Sequence, residues 1–513
     1  MHRSYILALA SLSLLALVHG CSDDTSNTDT AVTVNPDTGN SNGPTTSGDG
    51  DGDSDETVSG GEEDGCPPIT GCLDLPEEDD PVGCDSEGNC NLVDLLFVID
   101  NSGTMGAEQL NLARNFPLLV QQLEGLQSEN GGTGANVNIM VTTTDFGNPL
   151  CKPFANHEPE SGAPVASACT KRLDRFTGLA QINPPVYEEA CTDVCAAPGI
   201  EPLNGDLIIH FDDDGDNVPP VPPADINGDG IDDSPVAQAL ACIGPQGIDG
   251  CGYESPLEAM MQALNPLAPW NCGSPGDQAA CPNGGVERPF MREGAVLAVA
   301  IITDEADCSV KDYAIMTDNA YFAALDGDKL PSSAICWKAG VTCNGPDANG
   351  VYVNCSSNDS ADVMQPVKRY SDFLNLYVRE GLGKEVVMLG ILGVPPVTEH
   401  NPKSPHEPIA GGVKSLVYRQ WRDSDILQED AEKGVDVDYQ QWAFGIGPGC
   451  TGQDMQGTIT GQAIPPVRVK EVCQSLDYDD KIRCCIESVC DDDFSPALGC
   501  LTDVIQNVFT PVE

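Results

Sequence analysis

A chain of 513 residues with 40% hydrophobic content can bury a real core, either as two or three domains or as one elaborated domain with insertions. Its 80 Asp and Glu against 24 Lys and Arg give a formal charge of −56, which excludes sequence-independent binding to phosphate backbones, because that needs a basic face. Such acidity favours solubility, and clustered carboxylates are also hard oxygen ligands for divalent cations.

The first residues predict export. Arg3 supplies a positive start, and "ILALASLSLLALV" is an apolar run too short for a membrane span. "VHGC" follows and resembles the lipobox of bacterial lipoproteins, which implies cleavage after residue 20 and lipidation of Cys21. Ser22 rather than Asp after that cysteine favours the outer membrane by the sorting rule of enteric bacteria. Residues 22–65 hold twelve Asp or Glu, no Lys or Arg and almost nothing to bury, so 21–65 is expected to be a disordered acidic tether. Setting Cys21 aside, the 23 cysteines leave an even number, which in an exported protein reads as disulfides of undetermined connectivity. No CxxC pair stands with a second one or with a spaced HxxxH, which argues against a zinc ribbon or finger.

Residues 66–90, with Cys66, Cys72, Cys84 and Cys90, read as a disulfide-pinned collar. "VDLLFVID" (93–100) is a continuous apolar run of the kind buried on both faces of a parallel sheet. The helix that follows carries Leu110, Ala113, Phe116, Val120 and Leu123 on one stripe, and Pro117 is expected to kink or divide it. "GANVNIMVTTTDFG" (134–147), "GAVLAVAIITDEADCS" (294–309) and "KEVVMLGILGVP" (384–395) are further buried strands. Residues from about 150 to 245 lose periodicity and read as a disulfide-fastened insertion. "GCGYESPLEAMMQAL" (250–264) and "VMQPVKRYSDFLNLYVREGL" predict helices, and the tail from 401 to 513 predicts two more, "PPVRVKEVCQSL" and "SPALGCLTDVIQNVF". Strands alternating with helices indicate an α/β fold: a doubly wound, mostly parallel sheet, with a helical, disulfide-rich C-terminal segment packed on it.

In open α/β sheets ligands bind beyond the carboxyl ends of the strands, where the strand order reverses. Asp100 and Asp304 sit at such ends. Ser102 and Thr104 follow Asp100 at alternate positions, so one loop turns several oxygens toward one point. Hydroxyls and carboxylates without imidazole or thiolate define a hard-cation site, and Mg²⁺ suits it, with about six oxygens at roughly 2.0–2.1 Å.

"DNSGT" resembles the D-x-S-x-S motif of the metal-ion-dependent adhesion site in von Willebrand factor A domains, with Thr104 keeping the second hydroxyl. "IITDEADCS" resembles the strand-end aspartate of that site, carried here by Asp304. The family's third element, a Thr before a helix, falls on "GCGYESPLEAM", where Glu254 or Ser255 stands in its place. A glutamate there raises the site's charge and favours Ca²⁺ or Mn²⁺. "DLLFVIDNSGTM", "VTTTDFG", "GCGYESPLEA" and "ITDEADCS" also resemble the cysteine-rich, lipidated A-domain proteins of myxobacteria and their relatives. The resemblance spans about residues 91–400 and implies a Rossmann-like A domain.

A second cation candidate is "DINGDGIDD", with Asp225, Asn227 and Asp229 at positions 1, 3 and 5 of a calcium loop and Gly230 at 6. Val236 stands where the loop's glutamate belongs. Enzyme motifs are missing from the sequence: it has no HExxH, no GxSxG nucleophile elbow after a strand and no Walker loop. Past the signal peptide the only histidines are His157, His210, His400 and His406, and "TEHNPKSPHEP" gives little reason to expect a fixed ligand pair. The sequence thus leads to the expectation of a non-enzymatic, lipid-anchored surface protein. It would bind a partner, a protein offering a carboxylate, through Mg²⁺, Mn²⁺ or Ca²⁺ held by Asp100, Ser102, Thr104 and Asp304. A structural envelope protein whose metal only stabilises the fold is the alternative, and a metal-dependent hydrolase the third reading.

Overall fold

The computed structural model describes residues 91–126, 134–151, 159–177, 185–195, 200–272, 288–313, 316, 332–360, 363–453 and 459–509. The signal peptide, Cys21, the tether, the collar and His157 lie outside the described residues.

The apolar runs become the strands of one seven-stranded sheet. In chain order these are β1 (Leu92–Ile99), β2 (Asn136–Thr143), β3 (Ile209–Asp212), β4 (Gly215–Asp216), β5 (Val296–Ile302), β6 (Val386–Leu392) and β7 (Cys484–Ser488). Across the sheet they run β7-β6-β5-β1-β2-β3-β4, parallel from β7 to β2, with β3 and β4 antiparallel. The strand order reverses at β1, whose register partners are β2 on one side and β5 on the other (Ile99 opposite Thr143 and Ile302).

Both faces of the sheet are covered, which is why β1 from Leu95 to Ile99 reads as unbroken apolar sequence rather than as an alternating pattern. Val93, Leu95, Phe97 and Ile99 point to one face, against α1 (Gly106–Glu124), α2 (Pro235–Ile243) and, later in the chain, the helix Ser495–Phe509. Leu96 and Val98 point to the other, against α3 (Pro256–Ala263), α4 (Val367–Asp372, running on in wider turns to Gly381) and α5 (Val467–Gln474). Ser495–Phe509 is α6. Each of these side chains, fully withdrawn from water, stabilises the fold by roughly 1.5–3 kcal/mol. Phe97 meets Phe116 edge to face at 5.4 Å between ring centroids.

Several expectations need correcting. Pro117 does not divide α1: the helix runs unbroken from Gly106 to Glu124, with Pro117 buried among the side chains that hold it to the sheet. The region from 150 to 245 is not merely inserted loop. It supplies β3, which extends the sheet from β2, and α2, which packs beside α1 in the main core. The tail is not wholly helical, because β7 forms the far edge of the sheet beside β6.

Described disulfides join Cys151–Cys251, Cys169–Cys191, Cys195–Cys242, Cys308–Cys336, Cys343–Cys355, Cys450–Cys490, Cys473–Cys484 and Cys485–Cys500. At the amino end of β1, fully buried Asp94 is paired with Arg292 at 2.8 Å and Lys384 at 3.3 Å. Among the described residues no helix is long and apolar enough to cross a membrane.

Candidate functional site

Parallel strands β1, β2 and β5 end side by side, so the residues just after them must converge. The Asp100 amide donates to the Ile302 carbonyl at 2.9 Å, and the Thr144 amide to Ile99 at 3.2 Å, which extends the ladder one step past each strand. The result places Asp100, Thr144 and Thr303 in one buried row.

Asp100 is held through both carboxylate oxygens. Oδ1 accepts the Ser102 amide at 2.7 Å, and Oδ2 accepts the Thr303 hydroxyl at 2.5 Å. Its own carbonyl accepts the Gln109 side-chain amide at 2.8 Å. Gln109 also binds Gly247 and the Gln246 amide, so one buried side chain of α1 fastens the Asp100 loop to the approach to α3. The Ser102 hydroxyl lies 3.5 Å from that of Thr104, and Thr104 donates to Asp304 Oδ2 at 2.5 Å. Asp100, Ser102, Thr104 and Asp304 are therefore brought together, with Thr104 at the exposed rim and the other three buried.

Gly250 explains how the third loop comes so close. Its amide donates to the Asn101 carbonyl at 2.9 Å, and a Cβ at this position would fall 2.3 Å from the Asn101 side chain. Glu254, fully buried, accepts the Thr144 hydroxyl on Oε2. Ser255 is placed differently: its hydroxyl donates to the Cys308 carbonyl at 2.9 Å and lies 3.1 Å from the Tyr313 hydroxyl, so it braces the loop after β5. That loop is further held by Arg468 of α5, which pairs with buried Asp307 at 2.8 Å, and by the Ile464 amide on the Asp304 carbonyl at 2.7 Å.

The electrostatics are unusual. Burial pushes the Asp100 carboxyl up to about 6 and Glu108, in the first turn of α1, up to about 7. Glu305 is raised to about 8 by burial and by Asp100. Burial, and then the Asp100 charge, drive Glu254 and Asp304 well above the usual carboxylate range. These groups crowd one another in a medium that solvates charge poorly, so each opposes the ionisation of the next. Asp304 Oδ1, Glu254 Oε1 and Glu108 Oε2 are also buried with no hydrogen-bond partner. Orphaned buried oxygens of this kind call for a proton or a cation.

These donors are of the chemical type that divalent ions take. The unpartnered oxygens of Asp304 and Glu254, with the hydroxyls of Ser102 and Thr104, are hard ligands around surplus negative charge. Among the described residues no three His, Cys, Asp or Glu side chains stand together as ligands of a single ion.

In the second cation candidate the oxygens turn inward. Asp225 accepts the amides of Gly228, Asp229 and Gly230, Asn227 accepts the Asp229 amide, and Asp229 accepts the Ile231 amide. The loop thus holds itself with its own backbone. Glu108, Glu305, Thr144, Thr303 and Gln109 were not anticipated as members of the strand-end site. Glu305 adjoins Asp304 and could have been suspected, whereas nothing local in the sequence marks Gln109 or Thr144. No protein-family model and no curated protein matches this chain.

Proposed function

We propose that the chain is an exported, lipid-anchored surface protein whose strand-end site works as a von Willebrand factor A type adhesion site, binding a protein partner through a divalent cation. Asp100, Ser102, Thr104 and Asp304 would hold the ion, with Glu254 adding charge from the α3 side. The bound ion would supply positive charge and a coordination position for a partner's carboxylate oxygen. The chain's own residues do the remaining work. Ser102 N–H and the Thr303 hydroxyl orient Asp100, Thr104 orients Asp304, and Gln109 keeps the two loops in register.

The carrying observation is the buried, unpartnered Oδ1 of Asp304 beside a second buried carboxylate and two hydroxyls. The reading assigns no catalysis. Among the described residues the Ser102 hydroxyl has the Thr104 hydroxyl, and no imidazole, as its hydrogen-bond partner, so a serine nucleophile there would lack its usual base.

The full burial of Asp100 and Glu254 favours a second reading, in which the ion only stabilises the fold of an envelope protein. Calorimetric titration of the chelator-treated protein with Mg²⁺, Mn²⁺ and Ca²⁺, beside Asp100→Ala, tests the site. Binding by wild type that the variant lacks supports it, and equal binding by both moves the metal elsewhere. If a chelator lowers the melting temperature but leaves partner binding intact, the structural reading replaces the adhesive one.

A further inference from the structure

Two histidines of one hairpin are each held by a carboxylate from a different part of the fold. Val397–His400 and Pro408–Gly411 form the hairpin, with Pro408 opposite His400. Its turn is tied by the Asn401 amide on the Glu407 carbonyl and the His406 amide on the Lys403 carbonyl, both at 2.9 Å. His400 Nε2 lies 2.8 Å from Oε1 of buried Glu487 on β7, and His406 Nδ1 meets Asp503 of α6. The Ser404 hydroxyl adds a bond to Asn507 of the same helix, at 3.4 Å.

The hairpin thus runs beside β7 and reaches α6 at its tip. The Val397 amide bonds Asp491, just after β7, and a Cβ on Gly412 would lie 3.8 Å from the Ile486 carbonyl of that strand. Both histidines also wall a cavity of about 540 Å³, whose other side is Gln122 and Leu126 from the end of α1 and Thr502 from α6.

The charges around the two pairs come from several elements. Asp491 acts on Glu487 and His400 from the loop after β7, with Asp492 and Asp493 beyond it. On the hairpin Glu399 and Lys403 are exposed, and Glu407 accepts the Asn401 side chain at 3.0 Å. Lys414 donates to the Ile409 carbonyl at 3.1 Å. Among the described residues lining the cavity, Asp503 is the one charge that α1 or α6 contributes.

The pairs are not equivalent. His406 is half exposed, and an ion pair in water contributes little. Glu487 is withdrawn from water, and burial raises its carboxyl to about 6 while His400 draws it back. A carboxyl raised in this way contributes stability that is complete below the ordinary glutamate value and is lost as pH rises through the folded one. The imidazole works in the same direction. Imidazoles ordinarily lose their charge between about pH 5 and 8, and beside a neutral ring the ionised Glu487 stays buried without a counter-charge.

We propose that the hairpin is a pH-sensitive clasp, closed over β7 and α6 in mild acid through the His400–Glu487 pair and loosened as the pH rises past neutrality. Loosening uncovers the side of β7 and opens the cavity. The device is independent of the strand-end carboxylates and does not rest on their proposed role.

The test is amide hydrogen exchange on the wild-type protein at pH 5 and pH 8, each rate divided by its intrinsic chemical rate. The Asn401 and His406 amides report the hairpin, and those of β1 report global opening. Hairpin opening, taken relative to β1, is expected to be about fivefold more favourable at pH 8. Glu487→Gln, which keeps the shape and removes the charge, is expected to erase that difference. Carbon-13 resonances of labelled glutamate carboxyls in the wild type cover the case in which the variant does not fold: one of them is expected to titrate with the midpoint of the hairpin's protection. Equal hairpin protection at the two pH values overturns the proposal, as does protection that increases with pH. So does a Glu487→Gln protein that keeps the wild-type difference, or a hairpin midpoint that no glutamate carboxyl shares.

Discussion

The Thr104 hydroxyl donates to Asp304 at 2.5 Å across 200 positions of sequence, joining the loop after β1 to the loop after β5. This bond sets the spacing of the two strand ends at the exposed rim of the site. Thr104→Val keeps the shape and removes the hydroxyl. We expect folding stability to fall by only about 1 kcal/mol, because water replaces the exposed donor. Divalent affinity is expected to fall by about tenfold, a loss of roughly 1.4 kcal/mol. Thermal melts and calorimetric titration on the same preparation separate the two effects. Unchanged affinity would place the ion away from Thr104.

Gly250→Ala puts a methyl group where the Asn101 side chain lies, so the α3 approach and the Asp100 loop must part. Overpacking of this kind destabilises by about 1–3 kcal/mol. Cation affinity should drop along with it. Gly252→Ala, where a Cβ meets nothing within 4 Å, is the matched control and should leave both properties as in wild type.

The raised carboxyls give the metal-free protein a pH dependence of definite sign. Asp100, Glu108 and Glu305 titrate in the folded state near 6, 7 and 8, above the ordinary carboxylate value of about 4. A group whose folded value is raised contributes stability that is complete below the unfolded value and is lost as pH rises through the folded one. In chelator the melting temperature should therefore fall between about pH 4 and pH 8. Asp100→Asn should flatten that slope, which separates the site from the chain's general acidity. A metal-free slope that rises over this interval contradicts the arrangement.

Arg468 is buried against Asp307, and removing it leaves a carboxylate without its counter-charge. Arg468→Met is expected to destabilise by about 3–5 kcal/mol in denaturant titrations. The double change Arg468→Met/Asp307→Asn should lose less than the single one, because it removes the stranded charge as well. A double variant as unstable as the single would show that the guanidinium acts chiefly through its bond to the Gln365 carbonyl, at 2.7 Å.

The strands at the centre of the sheet were legible because a strand buried on both faces has few alternatives to continuous apolar sequence. Asp100 and Asp304 were legible as the polar residues that end such runs. What stayed hidden depends on contacts distant in sequence. β3 and β7 are too short, and too mixed in composition, to signal their pairing: "IHFD" and "CCIES" become strands only because β2 and β6 offer them an edge. Pro117 is a helix breaker by propensity, and packing overrides it. His400 meets Glu487 and His406 meets Asp503 across 87 and 97 positions, a distance no local pattern records.

The position of β7 and α6 governs how the chain can reach its native state. β1, at residues 92–99, has one face covered by α6, at 495–509, and the sheet edge next to β6 is closed only by residues 484–488. A chain made amino end first therefore presents β1 long before that cover arrives. Until residues 484–509 arrive, one face of β1 and the outer edge of β6 stay open, and such exposure favours aggregation. Truncation before residue 484 would remove the last strand and helix together. The core is thus complete only once residues 484–509 are present, so a shorter piece of the chain cannot close it.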